Sequence, residues 1–370
     1  MNLSTDIFCL QYKHQWSHLF GKMLCQGNAN DPLNSRRGGG KPLIPNILAN
    51  AKAGKAANIS GNAIKVITDS SKYCPEFAER LVVSPRDAGK YAGDPTIVAA
   101  FCTRSMAKKL LSLDFPNLKF IQLFSAGYDG IDLDICKRKG ITLCNAVDIY
   151  NYSMAEFIVY AMLRRAKRYH RNIKNMWLRP LRNYHYITEL KGKTVGIMGC
   201  GNIGLRVAKL LSGFDMNIIG YSAHTNDRLH FQRVYGASEK NEFVNQCDYI
   251  VNTVPLMPST TGLLDNSWFS QMKDDVTFIN VARKETINDK DFIKFLKSHR
   301  DAIAILDMFE IAPNPITNPY RRIRNVLVLP SVTAGSAETM PRLHRLLLKI
   351  LDHLKNNTNP ADSTNVIVNP

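Results

Sequence analysis

Gly199, Gly201 and Gly204 stand at G-x-G-x-x-G spacing within residues 194–206, TVGIMGCGNIGLR. That spacing can hold a dinucleotide pyrophosphate. The first glycine permits the tight turn, the second lets backbone approach the phosphates, and the third lets the following helix pack close, with its N-terminal N–H groups aimed at negative charge. Val195, Ile197 and Met198 before the turn, and Val207, Ala208, Leu210 and Leu211 after it, supply the strand and helix that the motif needs. Cys200 lies inside the turn, where its small size is sufficient reason for it. Ser125-Ala126-Gly127 follows another apolar run and can point successive backbone N–H groups at an anion, although a plain tight turn would need the same glycine. Arg283 and Asp307 each end a predicted strand, a poor place for charge in a core and a good one beside a cleft.

These residues need rigid elements to position them, and the chain supplies two sets. Strand-like runs at 64–68, 96–101 and 119–124 alternate with helical segments, the rhythm of a parallel sheet. A long helix over about 153–176 leads through a polar, aromatic connector to residue 189. A second set of strands follows at 194–198, 216–221, 248–254, 276–281, 302–306 and 326–329. Six such strands fit a doubly wound sheet, which binds ligands beyond the carboxyl ends of its strands. A final helix over 338–354 is amphipathic, with Leu343, Leu346, Leu347, Ile350, Leu351 and Leu354 on one face, and so must pack on a core. The polar stretch 356–370 reads as a frayed tail, and residues 1–60 as a poorly ordered extension with Asp6 and Asp31 as its only acids.

At 370 residues and 45% hydrophobic content, two ordinary cores are expected. The longest unbroken apolar run, 157–163, falls well short of the ~20 residues that span a bilayer. The N-terminus has no secretory pattern, and the eight scattered cysteines lack metal-ligand spacing, so a cytoplasmic protein without a metal site is expected. Organellar targeting by the extension stays open. The net charge of +17 favours anionic partners. Arg164, Arg165, Lys167, Arg168, Arg171 and Lys174 crowd the long helix, and Arg321, Arg322 and Arg324 form a second knot. No nucleic-acid-binding signature accompanies them, which leaves a solvated face or a subunit interface as the better reading than nucleic acid.

From residue 64 to residue 354 the ordered motifs resemble the D-isomer-specific 2-hydroxyacid dehydrogenases. FIQLFSAGYDGID at 120–132, the dinucleotide segment 190–221, FINVAR at 278–283 and ILDMFE at 305–310 carry the likeness. The resemblance implies an α/β protein of two Rossmann-like domains with an active-site cleft between them. It divides the chain into a discontinuous outer domain (61–152 and 333–355) and a central dinucleotide domain (153–332). Ala126, Gly127 and Tyr128 would bind the substrate carboxylate, with Tyr150 and Tyr152 as further candidate walls. Arg283 would be catalytic, gripping a 2-keto acid and stabilising the growing alkoxide charge. Asp307 would meet the nicotinamide. Asn202, Ile203, Ser222, Thr253, Val254, Pro255, Val281 and Ala282 would join the three glycines around the cofactor, and a homodimer is implied.

The resemblance fails where the family carries its acid–base pair. Its histidine position is Ser331, in Leu329-Pro330-Ser331-Val332, and its partner glutamate position is Ala312. Serine alone cannot match a histidine as general acid. Lys284 replaces the usual glycine after the arginine, and neither Lys284, Glu310, His185, His224 nor His230 is an evident substitute. Ser222 also stands where NAD-specific members place an acid, which favours NADP over NAD, with Arg228 or His224 as the cation for a 2′-phosphate. Two readings follow. One is an oxidoreductase of small 2-keto or 2-hydroxy acids with impaired acid–base catalysis, with Arg283 and Ser331 at its centre. The other is a non-catalytic NAD(P)-binding regulator or scaffold.

Overall fold

The computed structural model describes residues 64–167, 187–307 and 318–369. The extension assigned to 1–60, the later part of the basic helix with Arg168, Arg171 and Lys174, His185, Glu310, Ala312 and the Arg321 side chain lie outside the described residues.

Among the described residues two sheets form. The first contains β1 (Lys65–Thr68), β2 (Arg80–Val82), β3 (Ile97–Cys102), β4 (Phe120–Leu123), β5 (Thr142–Asn145) and β13 (Asn365–Val368), in the order β13-β5-β4-β3-β1-β2. The second contains β6 (Thr194–Met198), β7 (Asn217–Tyr221), β8 (Arg233–Tyr235), β9 (Tyr249–Asn252), β10 (Thr277–Asn280), β11 (Ile303–Leu306) and β12 (Val326–Val328), in the order β12-β11-β10-β9-β6-β7-β8. All pairings are parallel except β13 with β5. β6, β9, β10 and β11 are apolar and almost wholly buried, as strands covered on both faces by helices must be. This is the doubly wound α/β architecture expected from the sequence. The order of the second sheet reverses at β6, between β9 and β7, which opens a crevice at the carboxyl end of β6.

Helices cover both sheets. α1 (Arg104–Leu111) and α2 (Leu133–Arg138) flank the first; α3 (Val147–Lys167) and α4 (Asn202–Leu211) share a core of Met154, Ile158, Met162, Val207 and Leu211 over the second. α5 (Lys240–Gln246), α6 (Asn266–Phe269) and α7 (Asp289–Ser298) complete the second layer. α8 (Thr339–Lys355) returns to the first sheet and buries Leu343, Leu347 and Ile350 against Val66, Phe101 and Phe120. Truncating fully buried Leu347 to alanine would cost about 2–5 kcal/mol.

Two expectations need correction. The residues read as a frayed tail include β13, because Val366-Ile367-Val368 is a β-branched run that buries Val368 at 5% exposure and supplies an edge partner for β5. The second sheet has a seventh strand, β8, whose three residues are too few to show a period in sequence. No described helix is long and apolar enough to cross a membrane.

Candidate active site

The glycine turn is built as its spacing requires. Gly199 adopts φ +87°, a left-handed conformation suited to glycine, and a Cβ at Gly204 would collide with the Gly199 carbonyl oxygen. Gly201 caps α4, and a Cβ there would meet nothing within 4 Å, so the backbone faces open space where phosphate can approach. Asn202 and Ile203 begin α4 with their N–H groups in its first turn. Thr253, just past β9, closes the opposite wall: its Oγ1 donates to the Met198 and Gly199 carbonyls at 2.9 Å each. Val254 and Pro255 continue that wall, and Val281 and Ala282 follow β10 beside it. Cys200 is buried, and desolvation pushes its thiol up to about 11, so it stays protonated at neutral pH.

Ser222 leaves the end of β7, and its Oγ accepts from the His224 N–H at 3.1 Å. Arg228 lies in the same loop with its Nε buried and, among the described residues, without a hydrogen-bond partner. A buried donor of that kind is costly to leave unpaired.

Arg283 follows β10, its carbonyl accepting from Thr286 Oγ1 at 2.7 Å. Beneath it, Asn252 Nδ2 donates to Asn280 Oδ1 at 3.1 Å and to Thr286 Oγ1 at 3.0 Å, a buried network that fixes the arginine's backbone. Arg283 Nε donates to Asp129 Oδ2 at 3.0 Å, and Arg104 pairs with the same carboxylate oxygen. The other side of the guanidinium lies against the 125–127 loop, where a Cβ on Gly127 would collide with Arg283 Nη2. Residues from both sheets therefore meet here. Sequence reasoning missed Asp129, Arg104, Asn252, Asn280 and Thr286; buried asparagines at strand ends were the available signal for two of them.

The 125–127 loop is itself held. Ser125 Oγ donates to the Gly127 carbonyl at 2.7 Å, and Asn145 Nδ2 to that of Ala126 at 2.5 Å. Asn145 Oδ1 in turn accepts from Asn365 Nδ2 at 2.7 Å, which ties β13 to the loop. Tyr128 packs on the first sheet's core. Tyr150 gives its hydroxyl to the Phe124 carbonyl, and burial pushes its pKa up to about 12. The guanidiniums of Arg206 and Arg342 lie over the Tyr152 ring, 3.7 and 5.0 Å from its centroid.

Asp307, buried at 7% exposure, accepts from the Val332 and Thr333 N–H groups at 2.9 Å each and from the Thr333 hydroxyl. It thus anchors the segment that carries Ser331, a tether absent from the sequence reading. Ser331 is exposed and takes φ +53°. β12, the strand before Ser331, lies two positions from β10, the strand before Arg283, and Asp307 holds the 332–333 backbone at the end of β11 between them. Lys284 and His224 are exposed, and no described group of three His, Cys, Asp or Glu side chains could hold a metal.

Two mainly parallel sheets, a glycine-rich strand–turn–helix at the switch point and an arginine facing the 125–127 loop define the architecture of a nucleotide-linked oxidoreductase. Comparison with known proteins agrees. The family profile described as D-isomer specific 2-hydroxyacid dehydrogenase, NAD binding domain, matches residues 157–332. Glyoxylate reductase of Thermofilum pendens is 31% identical over 256 residues, 66% of this chain and 75% of that protein. A D-isomer specific 2-hydroxyacid dehydrogenase family protein from Aeromonas salmonicida superposes with a TM-score of 0.66 at 24% identity, over 80% of this chain and 97% of that one. An NADPH-dependent glyoxylate/hydroxypyruvate reductase from Sinorhizobium meliloti, solved with NADP and malonate, gives 0.64 at 22% identity, over 79% and 93%. The chain belongs to the D-isomer-specific 2-hydroxyacid dehydrogenase family and carries its NAD-binding domain.

Proposed function

We propose that this protein reduces a small 2-keto acid such as glyoxylate, with NADPH preferred over NADH, at low turnover. The observation that carries this reading is Arg283: one edge of its fork is held by Asp129 while Nη2 faces the backbone of Gly127. A 2-keto carboxylate entering there would meet the Ala126 and Gly127 N–H groups and leave its carbonyl oxygen to the guanidinium. The bound nicotinamide would supply the hydride. Arg283 would then stabilise the negative charge that grows on the carbonyl oxygen. Asp307 would keep the cofactor-side loop in place and offer its remaining lone pair to the nicotinamide amide. Without a histidine at 331, the proton reaches the alkoxide from water, which keeps turnover low. Ser222 and Arg228 support NADPH, because no carboxylate at 222 repels a 2′-phosphate and a guanidinium lies in the same loop.

A twofold homodimer through α3, which exposes Tyr160 at 54%, belongs to the same proposal. The non-catalytic reading is the alternative that the following experiment separates. Ser331→His combined with Ala312→Glu rebuilds the acid–base pair, and histidine tolerates the left-handed backbone at 331 better than most residues. Turnover should rise by ~10²–10⁴-fold. No gain on any keto acid in a folded, cofactor-binding double variant would favour the non-catalytic reading.

A further inference from the structure

The two basic knots of the sequence, 150 and more residues apart, converge in the fold. Arg164 and Arg165 at the end of α3, Lys297 and Arg300 at the end of α7, and Arg322 and Arg324 before β12 line one groove of about 780 Å³. Among the described residues Asp301 is the only acid lining it. Arg164, Lys297, Arg300, Arg322 and Arg324 make no ion pair among the described residues. The floor is aliphatic, formed by Leu296, Ile303 and Ile323.

The groove is separate from the dinucleotide cradle. It uses Ile303 and Asn325, at the amino ends of β11 and β12, whereas Arg283, Asp307 and the glycine turn follow the carboxyl ends of parallel strands. The two anion-attracting features therefore sit at opposite edges of one sheet.

We propose that this groove binds a polyphosphate, a small ligand carrying two or more linked phosphates. Like charges gathered around one concavity repel one another, and only a multivalent anion relieves several of them at once. The chain does not supply that anion itself. Residues 1–60 contain two acids, residues 168–186 none and residues 308–317 one, Glu310, too few to neutralise the groove's cations. A second copy would present the same cations. The volume lies in the ~300–1,000 Å³ range of small-molecule sites. A single-stranded nucleic acid would call for a line of stacking aromatics along an extended track, and among the described residues no aromatic lines this groove. The aliphatic floor lowers the local dielectric, which strengthens arginine–phosphate contacts, and it can also carry the apolar face of an attached ring.

The test is calorimetric titration of the full chain, saturated with NADPH so that the dinucleotide cradle is filled. Sodium tripolyphosphate and ATP are titrated in separate arms, with a single-stranded oligonucleotide as a third. One saturable site per chain is expected for tripolyphosphate, weakening as salt is raised. Tighter binding of ATP would identify a nucleotide as the natural source, and equal or weaker binding an inorganic chain. Arg300→Glu with Arg324→Glu should lower the affinity at least tenfold while NADPH still binds. The milder pair Arg300→Gln with Arg324→Gln should fall between, and it stands in if the reversal fails to fold. The proposal is overturned if tripolyphosphate binds equally well to both variants, or does not bind the unmodified chain. It is also overturned if the oligonucleotide binds more tightly than either phosphate ligand, or if light scattering shows that the variants lose only a subunit contact.

Discussion

Asp129 Oδ2 and Arg283 Nε meet at 3.0 Å, joining a loop after the first sheet's β4 to the end of β10 in the second. Asp129 is 17% exposed and also pairs with Arg104, so its carboxylate has a partner independent of Arg283. It acts as a clamp on one edge of the guanidinium, which leaves the other edge free to face the 125–127 loop.

Asp129→Asn keeps the shape of that clamp and removes its charge. A hydrogen bond to a charged group contributes about 1.5–3 kcal/mol, so kcat should fall roughly 10- to 100-fold if the clamp aligns Arg283. A purely structural role would instead lower the melting temperature and leave the kcat of the folded fraction unchanged. Steady-state kinetics beside thermal melts separates the two.

Cofactor choice should respond to two residues of one loop. Arg228→Ala should weaken NADPH about tenfold or more and leave NADH within twofold, since only NADPH brings the 2′-phosphate. Ser222→Asp should turn the preference toward NADH by repelling that phosphate. Calorimetry on both variants reads the outcome, and NADH bound tenfold more tightly than NADPH by the unmodified protein would reject the assignment.

The C-terminal strand should matter to the substrate site. Asn365 Nδ2, Asn145 Oδ1, Asn145 Nδ2 and the Ala126 carbonyl form a relay from β13 into the loop. Asn365→Ala should raise the KM for the keto acid several-fold, with NADPH affinity unchanged, because one hydrogen bond of about 1 kcal/mol is removed from the loop's support. An unchanged KM would show that the loop holds its shape without β13.

Local rules account for what the sequence made legible. Gly199, Gly201 and Gly204 are specified by turn geometry and close packing within six residues, and the strand-end positions of Arg283 and Asp307 follow from short apolar runs. The illegible features depend on contacts distant in sequence. Asp129 finds Arg283 across 154 positions, Asp307 holds a loop 26 residues away, and Asn365 reaches Asn145 across 220. β13 escaped notice because a four-residue edge strand among polar neighbours has almost no periodic signal, and only its partner β5 makes it a strand. The two basic knots were visible as composition, while their convergence required the fold.

Asp129's second partner opens Arg283 to a clean test: Arg283→Ala leaves Asp129 paired with Arg104 and should fold. The measurement is NADPH oxidation with glyoxylate and hydroxypyruvate by the unmodified protein beside this variant, with NADPH binding checked in both. The prediction is slow, saturable turnover in the unmodified protein and a loss of ~10²–10³-fold in Arg283→Ala. Equal rates in the two proteins, or no turnover above background in the unmodified one, would contradict it.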